Sequence, residues 1–138
     1  MPASQMALQV RIREDVGPLK VEDDNQLDEV LRTATEEARK RGTLGAILIE
    51  AANRNVITMV VGGDETAMGF DYGHGNPPYY SSRGPSNEDE PILTCQLKFQ
   101  HHTEFPRKCV IPIADGVKAL RQFLHSGDLP ACINWEEV

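Results

Sequence analysis

Two apolar runs, Leu44–Ala51 and residues 56–62, flank the polar triplet Asn53-Arg54-Asn55. That pattern predicts a hairpin of well-buried strands. The turn Gly62-Gly63-Asp64 follows, and residues 67–72 can return as a third strand, giving a meander of consecutive antiparallel strands. A sheet with so much apolar surface must be covered by other elements, and the flanking segments are the candidates.

Upstream, Met6, Leu8, Val10 and Ile12 alternate with Ala7, Gln9, Arg11 and Arg13, as in a half-buried strand, until Gly17-Pro18 breaks the pattern. From Asp24 the period changes. Leu27, Val30, Leu31, Ala34 and Ala38 fall on one helical stripe, with Asp24 or Asn25 as cap and Gly42 as stop. Residues 73–91 are the least regular stretch, with four prolines and three glycines, and a loop this long is often functional. Leu93, Cys95, Leu97 and Phe99 then alternate with polar residues in another strand, with 108–111 expected as its neighbour. Pro112 ends that neighbour. Val117, Leu120, Phe123 and Leu124 form the apolar side of a second helix that stops at Gly127, with Pro130 just beyond. Residues 133–135 are expected to pack back onto the body.

This order predicts an α+β fold in one domain, 1–138: a mostly antiparallel sheet of about five to seven strands with two helices packed on one face. A chain of 138 residues can bury its core without staples. Cys95, Cys109 and Cys132 each lie beside apolar residues and are expected as buried free thiols in a reducing compartment. The N-terminal sequence lacks the pattern of a secretory signal, and no window approaches the roughly eighteen apolar residues of a membrane span. The chain is expected to be cytoplasmic.

The net charge of −7, from 21 acidic and 14 basic side chains, argues against direct binding of nucleic acid and favours a basic partner. Catalysis finds little support. His101 and His102 are adjacent, so on a strand they point to opposite faces and cannot easily share a metal. No HxH, HxxxH or CxxC spacing occurs. Cys95 falls on the inward face of its strand, where a thiol is inert packing. Neither Gly62-Gly63 nor Gly73-His74-Gly75 leads into a helix N-terminus. No enzyme activity, cofactor or metal is expected. Binding fares better: Asp64, Glu65, Asp71, Tyr72, Tyr79, Tyr80, Glu88, Asp89 and Glu90 all fall in the middle turns and the long loop. Tyrosines supply contact area at low entropy cost, while carboxylates steer a cationic partner.

An ordered series in the last third adds a resemblance. Phe105-Pro106, Val110-Ile111-Pro112, the helix from Ala119 to Leu124, Gly127, Pro130 and Trp135 resemble the C-terminal pattern of the first class of Imm bacterial immunity proteins. Tyr79-Tyr80-Ser81-x-Arg83-Gly84 resembles that family's aromatic-Ser-x-Gly segment, and the likeness covers roughly residues 44–138. The acidic insert 87–90, and Leu129 at a place where the family often has Arg, depart from it. The resemblance implies an antitoxin that covers the active site of a cognate polymorphic toxin, often a deaminase acting on cytosine in nucleic acid. It would be a monomer when free and a heterodimer with the toxin. Two other classes stay open: a small-molecule-binding or enzymatic α+β domain, and a subunit that self-associates through strand edges.

Overall fold

A computed structural model describes residues 7–12, 18–86, 91–98 and 101–138, with side chains for all of these except 91–104. The strands are β1 (Leu8–Arg11), β2 (Leu19–Val21), β3 (Leu44–Ala51), β4 (Val56–Val61), β5 (Glu65–Thr66), β6 (Met68–Asp71), β7 (Tyr79–Ser82), β8 (Pro91–Lys98), β9 (His101–Pro106), β10 (Ile111–Pro112) and β11 (Trp135–Glu137). The helices are α1 (Asp24–Arg41) and α2 (Ile113–Ser126). Seven strands form one antiparallel path in the order β11-β7-β6-β4-β3-β1-β2. The β8–β9 hairpin joins β3 in parallel at Leu44 and Gly45, and β10 pairs separately with β5. The architecture is the expected α+β.

Register assigns the two faces. Leu8, Ala51, Val10, Ile49, Ile47, Met59, Ile57 and Phe70 meet in cross-strand pairs on one face. Both helices bury their stripes there, with Leu27, Val30, Leu31 and Ala34 from α1 and Ala119, Leu120, Phe123 and Leu124 from α2. On the other face, only the end at Ala46 and Val60 is covered, by Phe105, Cys109 and Val110. The rest of that face has no element upon it among the described residues.

The helix ends follow local chemistry. Asp23, one residue before the expected cap, accepts the Gln26 N–H at 2.8 Å. Gly42 and Gly127 both stop their helices in the left-handed conformation, at φ 72° and 71°, which costs glycine little. α2 approaches the sheet closely at Gly116, where a Cβ would stand 2.7 Å from Thr66 Cγ2.

Four further expectations change. Residues 108–111 do not partner β8. Its partner is β9, the segment that follows it most directly and so closes the smaller loop. Residues 107–109 instead form a 3-10 turn closed by the Val110 N–H on the Arg107 carbonyl at 3.0 Å. The long irregular stretch contains β7, held by β6 on one side and β11 on the other. The Gly17-Pro18 break is followed by β2, which pairs with β1. Cys132 is exposed in the turn after α2 rather than buried, while Cys109 is buried. The Cys95 side chain lies outside the described residues.

Candidate partner-binding surface

The loop that carries the candidate residues is anchored before it departs from the sheet. Asn55, buried in the β3–β4 turn, donates from Nδ2 to the Gly127 carbonyl at 2.8 Å and accepts the Gly73 N–H on Oδ1 at 2.9 Å. Asn53 donates to the same carbonyl at 3.0 Å. One turn thereby ties the end of α2 to the start of the 73–78 loop. The Tyr79 hydroxyl donates to the Gly75 carbonyl at 3.0 Å and folds the loop back on itself.

Asp71 and Tyr79 are register partners across β6 and β7. Both belong to the uncovered face, Asp71 exposed and Tyr79 half-buried. Among the described residues Asp71 has no hydrogen bond or ion pair from its side chain, so its carboxylate is free to meet a cation.

Tyr72 and Tyr80 lie on the opposite, helix-bearing face. Their rings surround Phe70, with centroids at 5.0 and 6.4 Å, and Trp135 and Phe123 complete the cluster at 6.3 and 6.2 Å. His74 stacks on Tyr72 at 5.5 Å. Burial, then the neighbouring Tyr72 and Glu137, push the Tyr80 phenol above the usual tyrosine value. These tyrosines close the edge of the core and present only part of their rings outward.

Asp64 and Glu65 are elsewhere. The Asp64 carbonyl accepts the Ile113 N–H at 3.0 Å, and Glu65 pairs with Pro112 at the start of α2. β4 runs from Val56, opposite Asp71, to Val61, next to this turn. The separation is therefore about 17 Å along the strand. Glu88, Asp89 and Glu90 lie outside the described residues. The candidate contacts thus form no single patch: Asp71 and Tyr79 share a face, Tyr72 and Tyr80 back it, and Asp64 and Glu65 occupy the other end.

A basic pair borders the Asp71–Tyr79 face. Glu136 lies 3.6 Å from Arg83 Nε and 3.7 Å from Lys108 Nζ. Arg83 also donates to the Lys108 carbonyl at 3.0 Å, and the Gly84 N–H donates to the same oxygen at 2.7 Å. A Cβ on Gly84 would lie 2.0 Å from the Val110 carbonyl oxygen, so only glycine lets the strand end dock on this segment. Below it, burial raises the Cys109 thiol above its usual value and suits it to packing.

The family model for immunity protein Imm1 matches residues 15–137, most of the chain. The chain belongs to the Imm1 family. No curated protein sequence matches it. The Imm1 model reaches upstream of the likeness read from the sequence and takes in α1 as well. The residues that carry the Imm1 likeness build the scaffold. Gly84 docks on Val110, Pro112 precedes α2, Gly127 ends it, and the Pro130 carbonyl accepts the Trp135 indole N–H at 2.7 Å. Membership of an immunity family implies a cognate toxin as partner. Among the described residues no helix is long and apolar enough to cross a membrane.

Sequence reading passed over Leu48, Val56 and Thr58, which share the uncovered face with Asp71 and Tyr79. The run 44–51 reads as core throughout, yet Leu48 is 42% exposed. The signal available was parity: Glu50, two residues on, is polar on the same side.

Proposed function

We propose that this chain is a stoichiometric inhibitor, without catalytic activity of its own, that covers the active site of a cognate toxin domain in the producing cell's cytoplasm. The toxin is a deaminase-type domain acting on cytosine in nucleic acid. The free inhibitor is a monomer and the inhibited complex a heterodimer. The observation that carries this reading is the Imm1 match over residues 15–137.

The chemistry is consistent with it. A domain that grips nucleic acid needs a cationic cleft, and a chain of net charge −7 is attracted to such a cleft at long range. Asp71 and Tyr79 form the central contact, backed from the helix-bearing face by Tyr72 and Tyr80, with Glu88, Asp89 and Glu90 steering from the following segment. Asp64 and Glu65 contribute at long range only, because of their distance from that centre.

The test is capture of tagged protein from its native lysate at low and moderate salt, with mass spectrometry, followed by a deaminase assay on the captured domain. A single toxin domain at a one-to-one ratio, silenced by the inhibitor, is the expected result. A captured domain that keeps full activity in the complex would overturn the proposal.

A further inference from the structure

The uncovered sheet face is a two-row platform. Register aligns Arg11, Leu48, Thr58, Gly69, Ser81 and Glu136 in one row across β1, β3, β4, β6, β7 and β11. The next row places Gln9, Glu50, Val56, Asp71 and Tyr79 in line. Six strands extend about 24 Å, close to the roughly 28 Å edge of a square patch of standard interface area.

Three observations single this face out. Leu48 is one of three exposed large hydrophobics among the described residues, and the other two, Leu19 and Val138, lie on the edge strand β2 and just past the edge strand β11. Leu48 alone stands on an inner strand, flanked by half-buried Thr58 and Val56. The outward positions of the two rows carry Glu50, Asp71 and Glu136, with Arg11 on β1, the register partner of Leu48, as the one cation. Arg54 lies 3.8 Å from Glu50, and Arg83 and Lys108 satisfy Glu136, which leaves Asp71 as the carboxylate without a partner. An apolar centre within a charged rim is the anatomy of a surface made for a partner, and Asp71, three strands away from Arg11, offers a carboxylate to a cation of that partner.

We infer that this open face, centred on Leu48 and Asp71, seats a basic surface of the toxin domain, with an apolar side chain of the toxin on Leu48 and a Lys or Arg on Asp71. This rests on the proposed inhibitor role and extends the contact away from the long loop onto β3 and β4.

The experiment measures binding of the full chain to the purified, catalytically inactivated toxin domain recovered by the capture described above, comparing wild type with Leu48→Lys, Asp71→Lys and Glu36→Lys. Glu36 is exposed on α1, on the other side of the sheet, and its reversal changes net charge as much as that of Asp71. Circular dichroism confirms folding, which exposed positions should preserve. Leu48→Lys is expected to weaken binding by about 30-fold or more through faster dissociation. Asp71→Lys should weaken it by about tenfold, mainly through slower association at low salt. Glu36→Lys should stay within about twofold of wild type. Failure of the wild-type chain to bind removes the inhibitor role itself. Tight wild-type binding with both face variants unchanged overturns the placement alone. So does a free-protein dimer in sedimentation that Leu48→Lys dissolves while toxin affinity is untouched, because the face would then serve a second copy of this chain.

Discussion

Asn55 and Gly127, 72 residues apart, are joined by a buried 2.8 Å hydrogen bond from the asparagine side chain to the helix-ending carbonyl. The same side chain holds Gly73, so one residue fixes the end of α2 and the root of the loop that leads to Tyr79. Asn55→Ala should cost about 1–2 kcal/mol in urea unfolding, since it removes two hydrogen bonds at once, one to the Gly127 carbonyl and one from the Gly73 N–H. Asn53→Ala, at an exposed position on the same carbonyl, should cost less than half as much.

Gly84 and Gly116 are close-approach glycines rather than turn glycines. Gly84→Ala drives a Cβ against the Val110 carbonyl and should cost more than about 3 kcal/mol or prevent folding. Gly116→Ala should cost about 1–3 kcal/mol despite alanine's better helix propensity, because Thr66 cannot swing its methyl away. Its hydroxyl is held on the Val60 carbonyl at 2.7 Å. Thr66→Ser removes that methyl and keeps the hydroxyl, so the Gly116→Ala/Thr66→Ser pair should recover part of the loss in a double-mutant cycle.

Ser82 joins the sheet to its far-end cover: its buried hydroxyl donates to the Cys109 carbonyl at 2.6 Å and accepts the Met68 N–H at 2.9 Å. Ser82→Ala should lower stability by about 1–3 kcal/mol. Hydrogen exchange should locate the loosening at Met68 and around residues 107–110; unchanged protection there would mean that the hydroxyl plays no linking role.

Alkaline pH should report on the aromatic cluster. The Tyr80 phenol is raised in the folded chain, so the folded state holds that proton more tightly than the unfolded one. Its contribution is complete below pH about 10 and is lost as pH rises through the tyrosine range. Tyr80→Phe should flatten the decline of melting temperature with pH in that window. A slope identical to wild type would assign the decline to other groups, such as the raised Cys109 thiol.

The distance of Asp64 and Glu65 from Asp71 makes a kinetic forecast. Reversal of Glu88, Asp89 and Glu90 together should slow toxin association and reduce its salt dependence, whereas reversal of Asp64 and Glu65, about 17 Å from Asp71 along β4, should change the rate by less than about twofold. Stopped-flow association at two ionic strengths separates the cases.

Much of the scaffold was legible because its signals are local. The stripe Leu27, Val30, Leu31, Ala34 and Ala38 records the helical period within a single element, and Gly42 and Gly127 mark stops that depend on their own backbone angles. The 44–61 hairpin announced itself through its polar turn, and the spaced prolines, glycines and tryptophan of the last third carried the family likeness. β7 was not legible, because Tyr-Tyr-Ser-Ser lacks an apolar alternation and becomes a strand only between β6 and β11.

The candidate site shows the division most clearly. By itself the sequence determined that the chain is acidic, that its helices have one apolar side each, and that tyrosines cluster with carboxylates in its middle. Long-range packing is what sets Tyr79 beside Asp71 on the uncovered face while Tyr80, the next residue, closes the core against Phe70. Alternation along a strand is a local property and separates two neighbouring side chains. Which of the two meets water depends on pairing register and on where both helices pack, and those are set by contacts between residues far apart in the chain.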